Sequence, residues 1–497
     1  MRIVNKGAQV LPGRIADELD WKVMLEIIDL RGTHRLDPTV VGTVLPRPPK
    51  ATYATVKDTV AEIMGSVATE GDQAIARYAQ SFDQWEQAGQ VFSELGTWKV
   101  PPALIDEAVT ALDPALRTAL ETAIAQVQWF HTQAKPTGWE GVHHHARMGV
   151  RFTPVSRAGV YVPGGRAAYP STVIMTVVPA LVAGVDDIVM CTPPGPDGRP
   201  NQTILAAAGL VGIHHVYRIG GAQAIAAMAH GTDTLPAVDV IVGPGNAYVN
   251  EAKLQAQASG LVGIDAPAGV SEVMLVADDS ADPVCVATSL IAQAEHDPMV
   301  TSILVTPSDS LAQVIPGLVE EELATLETAD RIRQALFGQG AIVLVDDLDH
   351  AVDVADAFAP EHLEVQTEDA VHLAEAFTHA GTIFIGVQTP TAFGDYCAGP
   401  NHTLPTNGAA RFTGGLTTSQ FMKPVNYVEF SPDASTEMAE VVRALGGAEG
   451  LPAHVRSVQA RIDRLQHKEH AARTTPQATL SQDVPDQESQ TESQQDE

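Results

Sequence analysis

From Gly159 onward the chain repeats one pattern: a short run of β-branched and apolar residues, a turn marked by Gly or Pro, then an alanine-rich stretch of helical spacing. GVYVP (159–163), DDIVMCTPP (186–194), HVYRIGG (215–221), VDVIVGPGN (238–246) and SEVMLVADD (271–279) open the series, and TSILVTP (301–307), GAIVLVDD (340–347) and GTIFIG (381–386) resume it. Helical stretches at 171–184, 201–211, 222–230 and 247–259 separate the first group. Strand, turn and helix in alternation need crossover connections, which build parallel sheets covered by helices on both faces. The expected fold class is α/β, with enough strands for two sheets.

Other segments frame this core. The spacing of Val60, Ile63, Met64, Val67, Ile75 and Tyr78 predicts two amphipathic helices between Val56 and Phe82, broken at Glu70–Gly71, and a further helix spans Pro102–Gln133. Residues 1–52 read as an N-terminal arm, with one helix near Trp21–Leu30 and an extended proline-rich stretch, VLPRPPKATY. Beyond about residue 412 the strand signals fade, and helices at 434–445 and 452–468 close the folded part. From Glu469 the chain is rich in Gln, Ser, Thr, Asp and Glu, the composition of a disordered acidic tail.

The 497 residues carry a formal net charge of −31, which repels phosphate backbones and anionic lipid. Nucleic acid and membrane surfaces are therefore not expected partners. No run of about 18 apolar residues, the length needed to span a bilayer, occurs in the sequence, and the first residues lack the apolar core of a signal peptide. The three cysteines, Cys191, Cys285 and Cys397, are far apart and form no CxxC, which suits a reducing cytoplasm.

Four clusters carry reactive side chains. In Gln293-Ala294-Glu295-His296-Asp297-Pro298, Gln293 and His296 share a helix face and could form half a metal site, although a helix-end histidine is more often a cap or surface residue. Glu361 and His362 follow Pro360 as a pair of proton acceptors. Gly394-Asp395-Tyr396-Cys397-Ala398-Gly399-Pro400-Asn401-His402 is a tight loop with a carboxylate and an imidazole, and Glu449 precedes His454 by five residues. Glycine turns at Gly164-Gly165, Gly220-Gly221 and Gly243-Pro244-Gly245 follow strands and precede helices, where backbone N–H groups can meet phosphate. None is the GxGxxG fingerprint, so a nucleotide cradle and an ordinary α/β turn both remain open. His143-His144-His145 reads as a surface run, since consecutive side chains diverge.

Taken together and in order, GVYVPGG, GGAQAIAA, VGPGNAYVNEAK, QAEHDP, APEHLE, GDYCAGPNHTLPT and AEGLPAH resemble the histidinol dehydrogenase family, over about residues 55–465. The resemblance implies two Rossmann-like parallel-sheet domains with small N- and C-terminal helical segments. Its expected divisions are the arm at 1–52, a discontinuous first α/β domain at 53–160 and 273–412, an NAD-binding second domain at 161–272, a C-terminal helical segment at 413–468, and the tail at 469–497.

The same resemblance assigns roles. Glu361 and His362 match the catalytic pair, and Gln293, His296, Asp395 and His454 match the ligands of one Zn²⁺ per subunit. Ser271, His402 and Glu449 match residues that hold L-histidinol, joined by His362 and the metal ligands; Tyr161, Gln223 and Asn246 match NAD⁺ contacts. The implied reaction is two successive hydride transfers, alcohol through aldehyde to carboxylate. The implied assembly is a homodimer whose C-terminal segments cross over, so that Glu449 and His454 complete the other subunit's site. Where the family usually reads Gly-Pro-Ser-Glu, this chain has Gly269-Val270-Ser271-Glu272. Three rivals are a dehydrogenase of a related amino alcohol on the same scaffold, an aldehyde dehydrogenase with Cys191 or Cys397 as nucleophile, and a non-catalytic zinc-binding or scaffold protein, which the intact Glu361–His362 pair argues against.

Overall fold

The computed structural model describes residues 24–33, 38–47, 56–164, 168–266 and 269–474. Most of the N-terminal arm (1–23, 34–37 and 48–52) and the tail from residue 475 lie outside them. The chain divides into two compact units, residues 1–136 with 152–423, and residues 137–151 with 424–497.

The strands are β1 (Glu26–Asp29), β2 (Trp139–His143), β3 (Ala146–Pro154), β4 (Arg157–Tyr161), β5 (Asp187–Thr192), β6 (Val216–Arg218), β7 (Val240–Val242), β8 (Gly263–Ile264), β9 (Glu272–Ala277), β10 (Thr301–Thr306), β11 (Gly340–Leu344), β12 (His362–Gln366), β13 (Thr382–Ile385) and β14 (Met422–Phe430). The first unit holds two wholly parallel sheets: five strands in the order β6-β5-β4-β7-β8, and six in the order β1-β11-β10-β9-β12-β13. In the six-stranded sheet β9, β10 and β11 are buried along their whole length, and in the five-stranded one β4 and β5 are buried beyond their first residue, as crossover helices on both faces demand.

On one face of the five-stranded sheet, Val60, Ile63 and Val67 from the helix Lys57–Glu70 pack with Ile225 and Ile241. On the other face, Ile105, Val173, Val177 and Ile204 pack with Val160 and Met190. The six-stranded sheet is sandwiched likewise, by Leu290, Ile315 and Ile332 on one side and Val354 and Phe358 on the other. In each sheet the strand order reverses at one place, between β4 and β7 and between β9 and β12. Such switch points open crevices beyond the carboxyl ends of the strands.

Four sequence expectations need correction. Glu26–Asp29 is not helical: it is the edge strand β1, in register with Ala341–Leu344 of β11, and pairing along a buried strand outweighs the weak local helical pattern. Residues 21–23 of that expected helix lie outside the described residues. The segment 53–160 does not join the six-stranded sheet: its helices from Lys57 to Thr110 pack on the five-stranded one, where β4 is the central strand. The single helix across 102–133 is two, Pro102–Thr110 and Pro114–Gln133, because the Asp113 side chain caps the N–H groups of Ala115 and Leu116 and Pro114 starts a new helix. The last helix runs to Thr474, past the expected start of the tail at Glu469.

The second unit contains β2 and most of β3, an antiparallel hairpin, and most of β14, which extends it to three strands, followed by the helices Pro432–Ala448 and Pro452–Thr474. These strands are half-exposed and so carry little hydrophobic signal. His144 and His145 form the hairpin turn, both at positive φ and exposed, in keeping with a surface run.

His131 is fully buried in the helix Pro114–Gln133 with neither ring nitrogen hydrogen-bonded, and burial pushes its pKa down to about 4. The unfolded chain therefore takes up a proton near its ordinary pKa that the folded chain refuses. Stability from this residue is fully present above about pH 6.5 and falls as pH drops from there to about 4, by up to about 3 kcal/mol. Urea melts of His131→Phe against the parent should show that acid slope flattened; parallel slopes would refute the assignment.

Candidate active site

The expected catalytic pair sits where the six-stranded sheet reverses, at the amino ends of its strands rather than at a sheet edge. Pro360 and Glu361 lead into β12, and His362 is its first residue, opposite Val273 of β9 and Thr382 of β13. Ala359, at positive φ, ends the preceding helix and turns the chain into this segment. Gly381 allows a close approach, since a Cβ there would lie 2.5 Å from the Glu361 carbonyl oxygen.

Both side chains are buried, each 4% exposed. Glu272, the first residue of β9, serves both: its N–H donates to Glu361 Oε2 at 2.8 Å, and its carbonyl accepts from His362 Nδ1 at 3.0 Å. A carbonyl can only accept, so Nδ1 carries the proton and Nε2 keeps a free lone pair. Burial pushes the Glu361 carboxyl well above the usual carboxylate range, against the Glu272 N–H and the Ser271 hydroxyl that stabilise its charge. Burial also holds the His362 imidazole below its ordinary value, in the neutral form a base requires.

Three more expected residues gather here. His296, just past the helix Pro283–Ala294, brings Nε2 to 3.6 Å from Asp395 Oδ2, and Asp395 raises its pKa. Burial works to raise the Asp395 carboxyl, but the rings of His296, His362 and His402 outweigh it and hold the group low. Gly394 makes this placement feasible, because a Cβ there would meet the Phe384 ring at 2.5 Å. His402 donates from Nδ1 to the Asp395 carbonyl at 3.0 Å, and its Nε2 lies 3.4 Å from Thr172 Oγ1, on the helix that follows β4. Gln293 is buried on the last turn of the His296 helix.

Among the described residues no group of three His, Cys, Asp or Glu side chains stands ready for a metal. The donors that do meet nevertheless fit one. Two ligands on a tetrahedral zinc lie about 3.4 Å apart, close to the 3.6 Å between His296 and Asp395. Gln293, one turn before His296, is the further expected oxygen donor, and the two donors that meet are too few to close a site. Glu449 and His454 belong to the second unit, where both are exposed, at the end of one helix and the first turn of the next.

The expected cofactor residues lie at the carboxyl ends of the five-stranded sheet. The Gly221 N–H donates to the Tyr161 hydroxyl at 3.0 Å. Gln223 is 1% exposed; its Nε2 lies 3.5 Å from Asp83 Oδ2 and its Oε1 has no partner. Asn246 caps the helix Ala247–Ala258 through its Oδ1. Gly243, at φ 120°, packs directly on the Tyr161 carbonyl and so joins the two turns. A cavity of about 490 Å³ is lined by Gly164, Pro193, Arg199, Asn201 and Gln202, and none of Tyr161, Gln223 and Asn246 lines it.

Sequence reasoning missed two residues. Asp83 faces Gln223 with its carboxyl pushed by burial up to about 7, and its only sequence signal is an acid closing an amphipathic helix. Glu272, a lone charge opening a buried apolar strand, was visible as an anomaly. Cys191 is fully buried in β5, and burial pushes its thiol far up, the opposite of an activated nucleophile. Turnover of Cys191→Ala should match the parent; loss of activity with the fold intact would revive the thiol mechanism.

Residues 47–462 match the family model for histidinol dehydrogenase. The chain belongs to the histidinol dehydrogenase family. It is 46% identical over 409 residues to histidinol dehydrogenase 2 of Trichormus variabilis, covering 82% of this chain and 92% of that one. It is 43% identical to the histidinol dehydrogenase of Thermosynechococcus vestitus, over 89% of this chain and 99% of the relative. The crystal structure of histidinol dehydrogenase from Elizabethkingia anophelis superposes with a TM-score of 0.78 at 32% identity, covering 84% and 98% of the two chains. Family membership makes the chain an oxidoreductase.

Proposed function

We propose that this site oxidises L-histidinol through L-histidinaldehyde to L-histidine, the last steps of histidine biosynthesis, in the cytoplasm. The observation that carries this reading is the state of the buried pair: His362 with Nε2 free, beside a Glu361 carboxyl of raised pKa. In this reading His362 Nε2 takes the alcohol proton in the first oxidation. Glu361 then takes a proton from the water that adds to the aldehyde carbon, and His362 assists again in the second. Ser271 and His402, with Glu449 of the partner subunit, orient the substrate, and burial of the pair limits competing water.

Gln293, His296, Asp395 and His454 of the partner subunit would hold a zinc ion. When bound, it supplies a Lewis-acid anchor for the imidazole and amine of the substrate. NAD⁺, held against Tyr161, Gln223 and Asn246, would accept the hydride in each step. The homodimer is part of this reading, since the first unit alone leaves the donor set incomplete.

Stripping the metal with chelator, with removal confirmed by elemental content, is expected to cut turnover at least tenfold, and zinc should restore it. Full turnover by metal-free enzyme would refute the metal assignment. A preference in kcat/KM for another amino alcohol over histidinol would favour the related dehydrogenase instead.

A further inference from the structure

We infer that the ion pair between half-buried Arg47 and buried Glu272 is a positioning device for the catalytic pair, an inference that rests on the roles given above to Glu361 and His362. Glu272 is fully buried at the head of the apolar strand β9. A carboxylate in that place persists only when its charge and lone pairs are met. Arg47 meets them with Nε to Oε1 at 2.8 Å and Nη2 to Oε2 at 3.2 Å, and the Asn407 N–H adds a bond to Oε1 at 3.2 Å.

The same residue directs the chemistry through its main chain. Its N–H holds the Glu361 carboxylate and its carbonyl holds His362 Nδ1. The peptide groups that fix both side chains therefore flank one α-carbon, and the clamped carboxylate is the third point that stops this α-carbon from turning. Arg47 reaches further: Nη2 donates to the Phe358 carbonyl at 2.9 Å, and the guanidinium lies 3.8 Å from the Phe358 ring centroid. Phe358 ends the helix that leads into Glu361. Asn407, at φ 56°, brings in the segment that follows His402. One ion pair thus ties together the start of β9, the entry to β12 and the His402 loop. The planar fork of arginine suits this bidentate, stacked geometry, and a lysine does not replace it.

The test uses the full-length enzyme with its metal, and compares Arg47→Ala, Arg47→Lys and Glu272→Gln with the parent. Melting temperature, kcat, and KM for histidinol and for NAD⁺ are measured for each. Displacing a catalytic group by about 1 Å costs about 10²-fold in rate. Arg47→Ala should accordingly lose about 10²-fold in kcat with little change in either KM. Arg47→Lys and Glu272→Gln should each lose about tenfold, since each keeps part of the clamp. Added guanidinium ion should restore kcat to Arg47→Ala. If Arg47→Ala does not fold, kcat of the other two variants decides between the positioning role and a merely structural one. Undiminished kcat in a folded variant, or guanidinium that restores melting temperature and not kcat, would overturn the positioning role. A parent enzyme that makes no NADH from histidinol would instead overturn the functional reading, and this inference with it.

Discussion

His362→Asn lowers kcat for histidinol oxidation by about 10²–10⁴-fold, the usual contribution of a positioned general base. The substitution keeps a donor for the Glu272 carbonyl, so the loss reports the missing Nε2 lone pair and not a collapsed strand end. If His362 acts in both oxidations as proposed, the loss should appear equally with histidinol and with histidinaldehyde supplied directly. KM for NAD⁺ should hold, since Tyr161 and Gln223 lie at the other sheet. Steady-state kinetics of folded variant on both substrates checks this. Turnover within a few-fold of the parent would remove His362 from the base role.

Glu361→Gln separates the two steps. The amide retains an acceptor for the Glu272 N–H but cannot take a proton from water. The first oxidation should continue near the parental rate, and conversion of aldehyde to histidine should fall by about 10²–10⁴-fold. Rapid-mixing traces should show an early NADH phase of about one equivalent per site, followed by a slow one. A proportionate loss in both phases would mean that Glu361 orients His362 and does not activate water. The double variant should be little worse than His362→Asn alone, because groups that act as a unit lose their effects together.

Much of this was legible in the chain. The parallel sheets announced themselves because buried strands such as β5 and β10 carry short apolar runs, Ile188–Cys191 and Ile303–Val305, closely followed by prolines that end the strands. The four catalytic and loop residues Glu361, His362, Asp395 and His402 could be named because each stands beside a turn residue in a longer motif. Other features left little trace. β14 and the β2–β3 hairpin are half-exposed, so neither shows a clear period of two. β1 is a strand only because β11 offers it an edge. The partition of 53–160 failed because an amphipathic stripe shows that a helix is buried, not which sheet buries it. Arg47 shared the same fate: its importance lies in a partner 225 residues away, and local sequence shows only a basic residue among prolines.

The central claim is that one site performs both oxidations. It is tested most directly by measuring NADH formed and histidine formed for each histidinol consumed by the metal-replete enzyme. The expected result is about two NADH and one histidine, with no aldehyde building up in solution. One NADH per histidinol, with free aldehyde as the product, would contradict it.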